Sequence, residues 1–323
     1  MGGRYFIFDM DETLAELYSV YYFIASLRLK ETMEIINKDE ANNIPESLNT
    51  SLNKAYNKFV EDVLSEEISN EPLGILRPGV LDVMTRLYKL QKRGLVKHVL
   101  IYSNNGHLQS LEFIRDLIHK HLGTNNLIRE CIHWNHHMRD EERLIRPGSA
   151  NKTWNVIRNI MVNGLCNAPS DLGPDNVFFF DDLDHIDLQR ALGNNYYKVP
   201  AYNFKSSFDR IAEIYGKALE SVYIDIDEFI EYIMDIFLST REDYSKIRDR
   251  SINGIIDVFR GKTRDTVEDN VMPPSPDRGI DMMMAAIKKV EGVRKRKRFV
   301  RISTKKRRGY RRAKTARKNS RCP

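Results

Sequence analysis

Residues 5–14 read Tyr-Phe-Ile-Phe-Asp-Met-Asp-Glu-Thr-Leu, a short apolar run that ends in acidic side chains. The run has the length and composition of a buried strand. Strand alternation points Asp9 and Asp11 the same way, out of the carboxyl end of the strand, where open α/β sheets bind their ligands. Two converging carboxylates repel each other and need a cation, and Mg²⁺ suits them because it binds carboxylates together with water and substrate phosphate. The stretch therefore predicts an α/β fold with a magnesium site.

Three later stretches resemble, in order, the remaining motifs of the haloacid dehalogenase (HAD) superfamily, of which 5–14 resembles the first. They are the strand 101–105, Ile-Tyr-Ser-Asn-Asn; Lys152 at a predicted helix start; and the strand 177–182, Val-Phe-Phe-Phe-Asp-Asp. The resemblance covers roughly residues 3–205. It implies an α/β fold with a Rossmann-like parallel sheet, helices on both faces, and a small helical cap inserted over the active site at about 19–73. It also implies a Mg²⁺-dependent phosphatase.

The resemblance assigns the chemistry to the first motif. Asp9 is expected to be the nucleophile, which attacks phosphorus and forms an aspartyl-phosphate. Asp11 is expected to protonate the leaving oxygen and then to deprotonate the water that clears the intermediate. Thr13 is expected to hold the tight turn after the strand.

The second and third motifs are expected to bind the phosphoryl group. Ser103 and the backbone N–H of Asn104 would supply hydrogen-bond donors where negative charge concentrates. Lys152 would neutralise the phosphoryl group and keep Asp9 ionised. Arg143 and Arg146 compete with Lys152 for this role because they lie nearby in the sequence.

The fourth motif is expected to complete the metal site. Asp181 and Asp182 are adjacent and cannot both point the same way from an ideal strand. The resemblance implies that Asp182 binds Mg²⁺ directly, together with Asp9 and the backbone carbonyl of Asp11. Asp181 is expected to contact the ligands of the ion, or to reach the ion through water. Asp187 aligns with the last acid of a longer variant of the motif.

A cluster of possible zinc ligands lies outside the four motifs. Zinc sites need a second ligand pair at suitable spacing, and the chain offers none that is obvious, so a place at the rim of the active site is the preferred interpretation of His133. The cluster consists of Cys131, His133, His136 and His137.

The charge of the chain is divided between two regions. The net charge is +6, whereas residues 288–323 contain 18 Lys and Arg and one Glu, so this end carries +17 and the rest −11 (6 minus 17). We predict a catalytic core at 1–205, a helical extension at 206–262, a linker at 263–280 and a basic tail at 281–323. Apart from a short helix at 281–290, the tail is expected to be disordered because its charges repel and it has little to bury.

The partners and the location follow from the same observations. The region from Arg294 to Arg321 suits phosphates of nucleic acid or a nuclear-import signal, and also an importin or the acidic body of the chain itself. No apolar run is long enough for a transmembrane helix, and three widely spaced cysteines are typical of a reduced intracellular protein of cytoplasm or nucleus.

The substrate is left open between several classes. The first motif is also similar to that of phosphatases acting on the phosphoserine C-terminal domain of RNA polymerase II, but those have less sequence between the first two motifs. A phosphoprotein, a nucleotide and a polynucleotide 3′-phosphate all fit an expected phosphomonoester substrate. A non-catalytic HAD-like module tethered to nucleic acid is the alternative from another class.

Overall fold

The computed structural model describes residues 3–145, 151–164, 168–204, 206–237, 250–263 and 277–292. Its centre is a five-stranded sheet in the order β3-β2-β1-β4-β5, and every pairing is parallel. This confirms the predicted α/β class with a Rossmann-like parallel sheet. The strands are β1 (Arg4–Phe8), β2 (Val96–Tyr102), β3 (Ile128–Ile132), β4 (Val177–Asp181) and β5 (Tyr196–Lys198).

The first strand lies in the middle of the sheet, and the chain changes direction there. It adds β2 and β3 on one side of β1 and then crosses to the other side to add β4 and β5. In open α/β sheets, such a switch point opens a crevice at the carboxyl ends of the central strands. The ends of β1 and β4 border this crevice, since Phe8 is in register with Phe180.

Helices occupy most of the remaining described chain. Their ends are set by local signals: the Ser207 side chain accepts from the amide of Arg210 at the start of α10, and Gly123 adopts φ 61° after α6, a conformation that glycine tolerates well. The helices are α1 (Tyr21–Leu27), α2 (Leu29–Ile36), α3 (Lys38–Ala41), α4 (Glu46–Glu67), α5 (Val80–Lys92), α6 (Leu108–Leu122), α7 (Asp140–Ile145), α8 (Trp154–Asn159), α9 (Ile186–Leu192), α10 (Phe208–Glu220), α11 (Ile226–Phe237), α12 (Ile252–Thr263) and α13 (278–292).

The two faces of the sheet carry separate hydrophobic cores, because strand alternation sends neighbouring side chains to opposite sides. Phe6 and Phe8 pack on one face, with α5, α6 and the inserted helices. Tyr5 and Ile7 pack on the other, with α8 and α9. We call the first the thick face and the second the thin face.

The insertion at 19–73 contains helices α1–α4, and they belong to the thick face. Buried residues of α1 and α4 share one hydrophobic core with α5 and α6, and α4 lies against α6 and α10. The insertion approaches the crevice at its first helix, where the Tyr21 hydroxyl lies 3.1 Å from Nδ1 of His107. The insertion therefore enlarges the thick face and also reaches the edge of the crevice.

The described end of the chain is a helix packed on the thick face. Met283, Ile287 and Val290 of α13 are buried in its core. Structured residues thus continue to 292, beyond the start of the predicted tail at 281, while the region from Arg294 to Arg321 lies outside the described residues. None of the helices within the described ranges is long and apolar enough to cross a membrane.

Candidate active site

The turn after β1 places the first two acids at the centre of the crevice. The Asp9 amide donates to the carbonyl of Phe180 on β4 at 2.8 Å, so the chain still follows the sheet at this point. It then turns sharply, with Glu12 at φ 56°, in the left-handed region that non-glycine residues seldom adopt. The Thr13 side chain, fully buried, donates to Oδ1 of Asp182 at 3.2 Å. This contact joins the turn to the end of β4.

A buried lysine connects the ends of β1 and β4. Lys152 Nζ lies 2.5 Å from Oδ1 of Asp9 and 2.7 Å from Oδ2 of Asp181, and its side chain is 1 % exposed. Lys152 immediately precedes α8, whose capping residue Thr153 accepts from the amide of Val156. The thin-face helix thus delivers one cation to two carboxylates.

His185 contacts both the backbone of Lys152 and the carboxylate of Asp181. Its Nδ1 accepts from the backbone amide of Lys152 at 3.2 Å, and its Nε2 lies 3.0 Å from Oδ2 of Asp181. Because Nδ1 accepts, Nε2 carries the hydrogen that is donated to Asp181, which defines the tautomer. The other oxygen of Asp181 accepts from the amide of Leu183 at 2.8 Å. Asp181 is therefore held by protein donors on both of its oxygens.

Three carboxylates form a candidate cation site. One oxygen each from Asp9, Asp181 and Asp182 lie within 4.8 Å of one another. Since Asp181 is satisfied by protein donors and fully buried, Asp9 and the half-buried Asp182 are the carboxylates placed for an ion. Oxygen donors of this kind fit Mg²⁺.

The loop after β2 brings its polar side chains to Asp11. The Ser103 hydroxyl donates to Oδ2 of Asp11 at 3.1 Å, and the side-chain amide of Asn105 donates to Oδ1 at 3.4 Å. The backbone amide of Asn105 donates in turn to the Ser103 hydroxyl at 3.0 Å. Asp11 therefore faces β2, whereas Asp9 faces Lys152.

A fully buried ion pair holds this loop and the lysine in one frame. The Arg139 guanidinium donates to the carbonyl of Ser103 at 2.5 Å and to the side-chain oxygen of Asn104 at 2.7 Å. It is paired with Glu142 at 2.8 Å, both side chains being 0 % exposed. Glu142 also accepts from the amide of Thr153 at 2.7 Å. The pair thus joins the loop after β2 to the residue that follows Lys152.

The electrostatics of the site favour an additional positive charge. Burial raises the pKa of Asp9 to about 8, although Lys152 opposes the shift. Burial also raises the pKa of Asp11, against hydrogen bonds from Asn105 and Ser103, and that of Asp182, with help from Asp181. The pKa values of these three acids lie above their usual range, and a nearby cation would lower them by favouring the ionised carboxylates.

At Asp181 and Lys152, unlike at the three acids above, the neighbouring charges outweigh burial and favour the charged form. Burial opposes charge on Asp181, yet Lys152 and His185 hold its pKa below the usual value. Burial likewise opposes charge on Lys152, yet Asp9 and Asp181 raise its pKa. Of the two carboxylates that share the lysine, Asp181 has the lowered pKa because it has more donors, whereas burial dominates at Asp9 and raises its pKa.

The structure brings most of the predicted site residues together. Asp9, Asp11, Thr13, Ser103, Asn104, Lys152, Asp181 and Asp182 all border the crevice. Asp187 lies on the first turn of α9 with an exposed side chain and outside the carboxylate cluster. Arg143 donates to the carbonyl of Trp134 at 2.6 Å, and Arg146 falls outside the described residues.

Four residues of the site were not identified from the sequence: Asn105, Arg139, Glu142 and His185. Asn105 is the last residue of the predicted strand 101–105 and His185 follows the predicted strand 177–182, and these positions were the available signal. Arg139 and Glu142 belong to a charged stretch, where the structure has a 3₁₀ turn (His137–Arg139) and α7. No pattern in that stretch indicates a buried ion pair.

The histidines of the suspected zinc cluster lie beside the loop after β2. The Trp134 amide donates to the carbonyl of Asn105 at 2.9 Å, and the rings of His133 and His136 are 6.1 Å apart. Among the described residues, the side chains grouped closely enough to hold a metal ion are those of the aspartate cluster. Comparisons with protein-family models, with curated proteins and with solved structures found no match to this chain.

Proposed function

We propose that the chain is a Mg²⁺-dependent phosphatase of phosphomonoesters, working through an aspartyl-phosphate on Asp9. The observation that carries this proposal is the contact of buried Lys152 with both Asp9 and Asp181 at the carboxyl ends of the two central strands. A carboxylate nucleophile there has a cation on one side and Asp11 on the other. This arrangement suits a reaction that adds a phosphoryl group to an acid and then removes it.

The residues divide the reaction between them. Asp9 attacks phosphorus, and the bond from phosphorus to the leaving oxygen breaks while Asp11 gives its proton to that oxygen. Its raised pKa supports this role, because a general acid must hold a proton near the working pH. Asp11 then takes a proton from water as the water attacks the aspartyl-phosphate and releases phosphate and free Asp9.

The remaining groups stabilise charge and position. Lys152 offsets negative charge on the phosphoryl oxygens, and Ser103 and the amide of Asn104 donate to them. Asp9, Asp182 and the backbone carbonyl of Asp11 would hold Mg²⁺, which when bound supplies further positive charge to the phosphate. Asp181 keeps Lys152 in place.

The test is phosphate release from 4-nitrophenyl phosphate, with Mg²⁺ or with excess chelator. We expect turnover only with Mg²⁺ and a loss of more than about 10³-fold in Asp9→Asn, since removing a nucleophile costs at least that much. Asp184→Asn is the matched control because Asp184 is an exposed acid on the neighbouring loop. Full turnover in Asp9→Asn, or in chelator, would overturn the mechanism.

The same assay with phosphopeptides, nucleotides, 3′-phosphorylated oligonucleotides and sugar phosphates would select the substrate class. A folded wild-type protein that hydrolyses none of them would instead support the non-catalytic alternative. Nucleic-acid binding by the region from Arg294 to Arg321 stays a prediction that rests on its charge alone.

A further inference from the structure

A second buried arginine, Arg77, holds the turn that carries Asp11. Arg77 lies just before α5 and is 3 % exposed. Its guanidinium donates to the carbonyls of Thr13 at 3.1 Å and Glu12 at 3.5 Å, and to that of Pro200 after β5 at 2.6 Å. The Tyr202 amide also donates to the Glu12 carbonyl, at 2.7 Å. The left-handed residue Glu12 is thus fixed through its own carbonyl.

The charge partner of Arg77 comes from the far end of the described chain. Oδ2 of Asp277 lies 2.8 Å from Nε of Arg77. The other oxygen of Asp277 accepts from the amides of Gly279 at 2.7 Å and Ile280 at 3.1 Å, so it also caps the N-terminus of α13. One carboxylate therefore starts the last described helix and neutralises the arginine behind the turn.

Close packing keeps the guanidinium against the start of that helix. A Cβ added to Gly279 would lie 2.7 Å from Cζ of Arg77, a distance that forces one of the two groups to move. At the other end of α13, Glu291 is paired with Arg86 of α5 at 2.8 Å. The helix is thus fastened by an ion pair at each end, but only the first of these pairs contacts the turn after β1.

We infer that Asp277 is a positioning residue for the candidate active site. It acts through Arg77, whose contacts hold the carbonyls of Glu12 and Thr13 and so the direction in which Asp11 leaves the strand. The catalytic unit would then include α13, about 270 residues from Asp9 in sequence. This inference rests on the proposed function for its effect on turnover, but its effect on the turn does not depend on any activity.

The experiment compares Asp277→Asn with Glu291→Gln in the full chain. Asparagine still caps the helix but removes the charge that faces Arg77, and Glu291→Gln removes the matched charge at the other end. Gly279→Ala displaces Arg77 by a different route. The two readouts are kcat and KM for 4-nitrophenyl phosphate with Mg²⁺, and hydrogen exchange of the amides of Glu12, Leu14 and Ala15, which are hydrogen-bonded within the turn.

We expect Asp277→Asn and Gly279→Ala to lower kcat by about 10- to 100-fold, in the range that small misplacement of a catalytic group causes, and to speed exchange in the turn. Glu291→Gln should leave both readouts near wild type, even if it lowers thermal stability. Unchanged exchange in Asp277→Asn, or equal changes in Glu291→Gln, would overturn the inference. A wild-type protein without turnover would remove the proposed function, and the exchange experiment would still decide the role of Asp277.

Discussion

The two faces of the sheet are stabilised in different ways. On the thick face, α4, α5, α6 and the last helices bury aliphatic and aromatic side chains in one continuous core. On the thin face, α8 and α9 cover a smaller apolar core, and beside it lie buried polar and charged side chains, including Lys152, His185 and the pair of Arg139 with Glu142. Apolar packing stabilises a fold wherever it occurs, whereas buried charges must be paired to be tolerated. The difference indicates that the thin face is built around the polar groups of the candidate site, whereas the thick face relies mainly on apolar packing and contacts the turn after β1 through the pair of Arg77 and Asp277.

The largest effect that would separate the two faces is expected for Lys152→Met. It leaves Asp9 and Asp181 without their shared cation, and breaking a buried ion pair destabilises a protein by about 3–5 kcal/mol. If the proposed function holds, kcat in the folded protein should also fall by about 10²–10³-fold, as when a charge-stabilising donor is removed. Urea unfolding and phosphate release would measure the two losses.

The control for that experiment is Lys58→Met on α4. Lys58 forms an exposed pair with Asp62, and such pairs contribute about 0–1 kcal/mol. If Lys152→Met changed neither stability nor turnover more than this control does, the claim that the thin face is built around the candidate site would be wrong.

A narrower effect is expected for Phe59→Ala on the thick face, because it should lower stability without lowering turnover. Phe59 is fully buried on α4 and packs against Phe113, with ring centroids 5.8 Å apart. Removing a buried aromatic ring costs about 3–5 kcal/mol, and the loss should appear in urea unfolding while kcat at low temperature stays unchanged. Tyr223→Ala is the matched control, since Tyr223 is 91 % exposed. A large fall in kcat for folded Phe59→Ala would show that both faces shape the site.

The smallest effect tests an ionisable group within the thick face. Glu67, at the end of α4, accepts from the amide of Ile75 at 2.7 Å, and burial raises its pKa from 4.5 to about 7 against hydrogen bonds from the backbone. An acid with a raised pKa in the folded state stabilises the fold below its unfolded pKa, and this contribution is lost as the pH rises through the folded pKa. The stability of wild type relative to Glu67→Gln should therefore fall by about 2–3 kcal/mol between pH 4.5 and 8.

Comparing these two proteins cancels the titration of Asp9, which both retain. Urea unfolding at several pH values measures the difference. A difference that is constant with pH, or that grows in favour of wild type at high pH, would contradict the expected sign.

The residues that the sequence identified share one property, which is that each lies at a strand end or a helix start. Asp9, Ser103 and Asp182 follow apolar runs, and parallel strands bring such ends to one edge of the sheet. The position of the candidate site could therefore be predicted from patterns of ten residues or fewer. The resemblance implied a helical insertion at about 19–73, but not that its helices would share a core with α5 and α6.

The residues that were missed depend on contacts between distant parts of the chain. Arg77 and Asp277 are 200 positions apart, and each alone reads as an ordinary surface charge. Arg139 and Glu142 lie in a strongly charged stretch, where nothing in the sequence distinguishes these two side chains from exposed charges. Their burial is decided by Tyr102 and the loop after β2, which only the folded chain places beside them.

The central place of β1 has a consequence for how the protein is made. β1 is synthesised before both of its neighbours in the sheet, which are β2, nearly ninety residues later, and β4, which ends at Asp181. Until β4 has been synthesised, one edge of a strongly apolar strand lacks its native partner, and such an edge invites pairing with other chains. Contacts this distant in sequence also slow folding. A ribosome-bound chain that stops before residue 177 should therefore need protection from aggregation. One that stops before residue 277 should still lack the ion pair of Asp277 with Arg77, which holds the turn after β1.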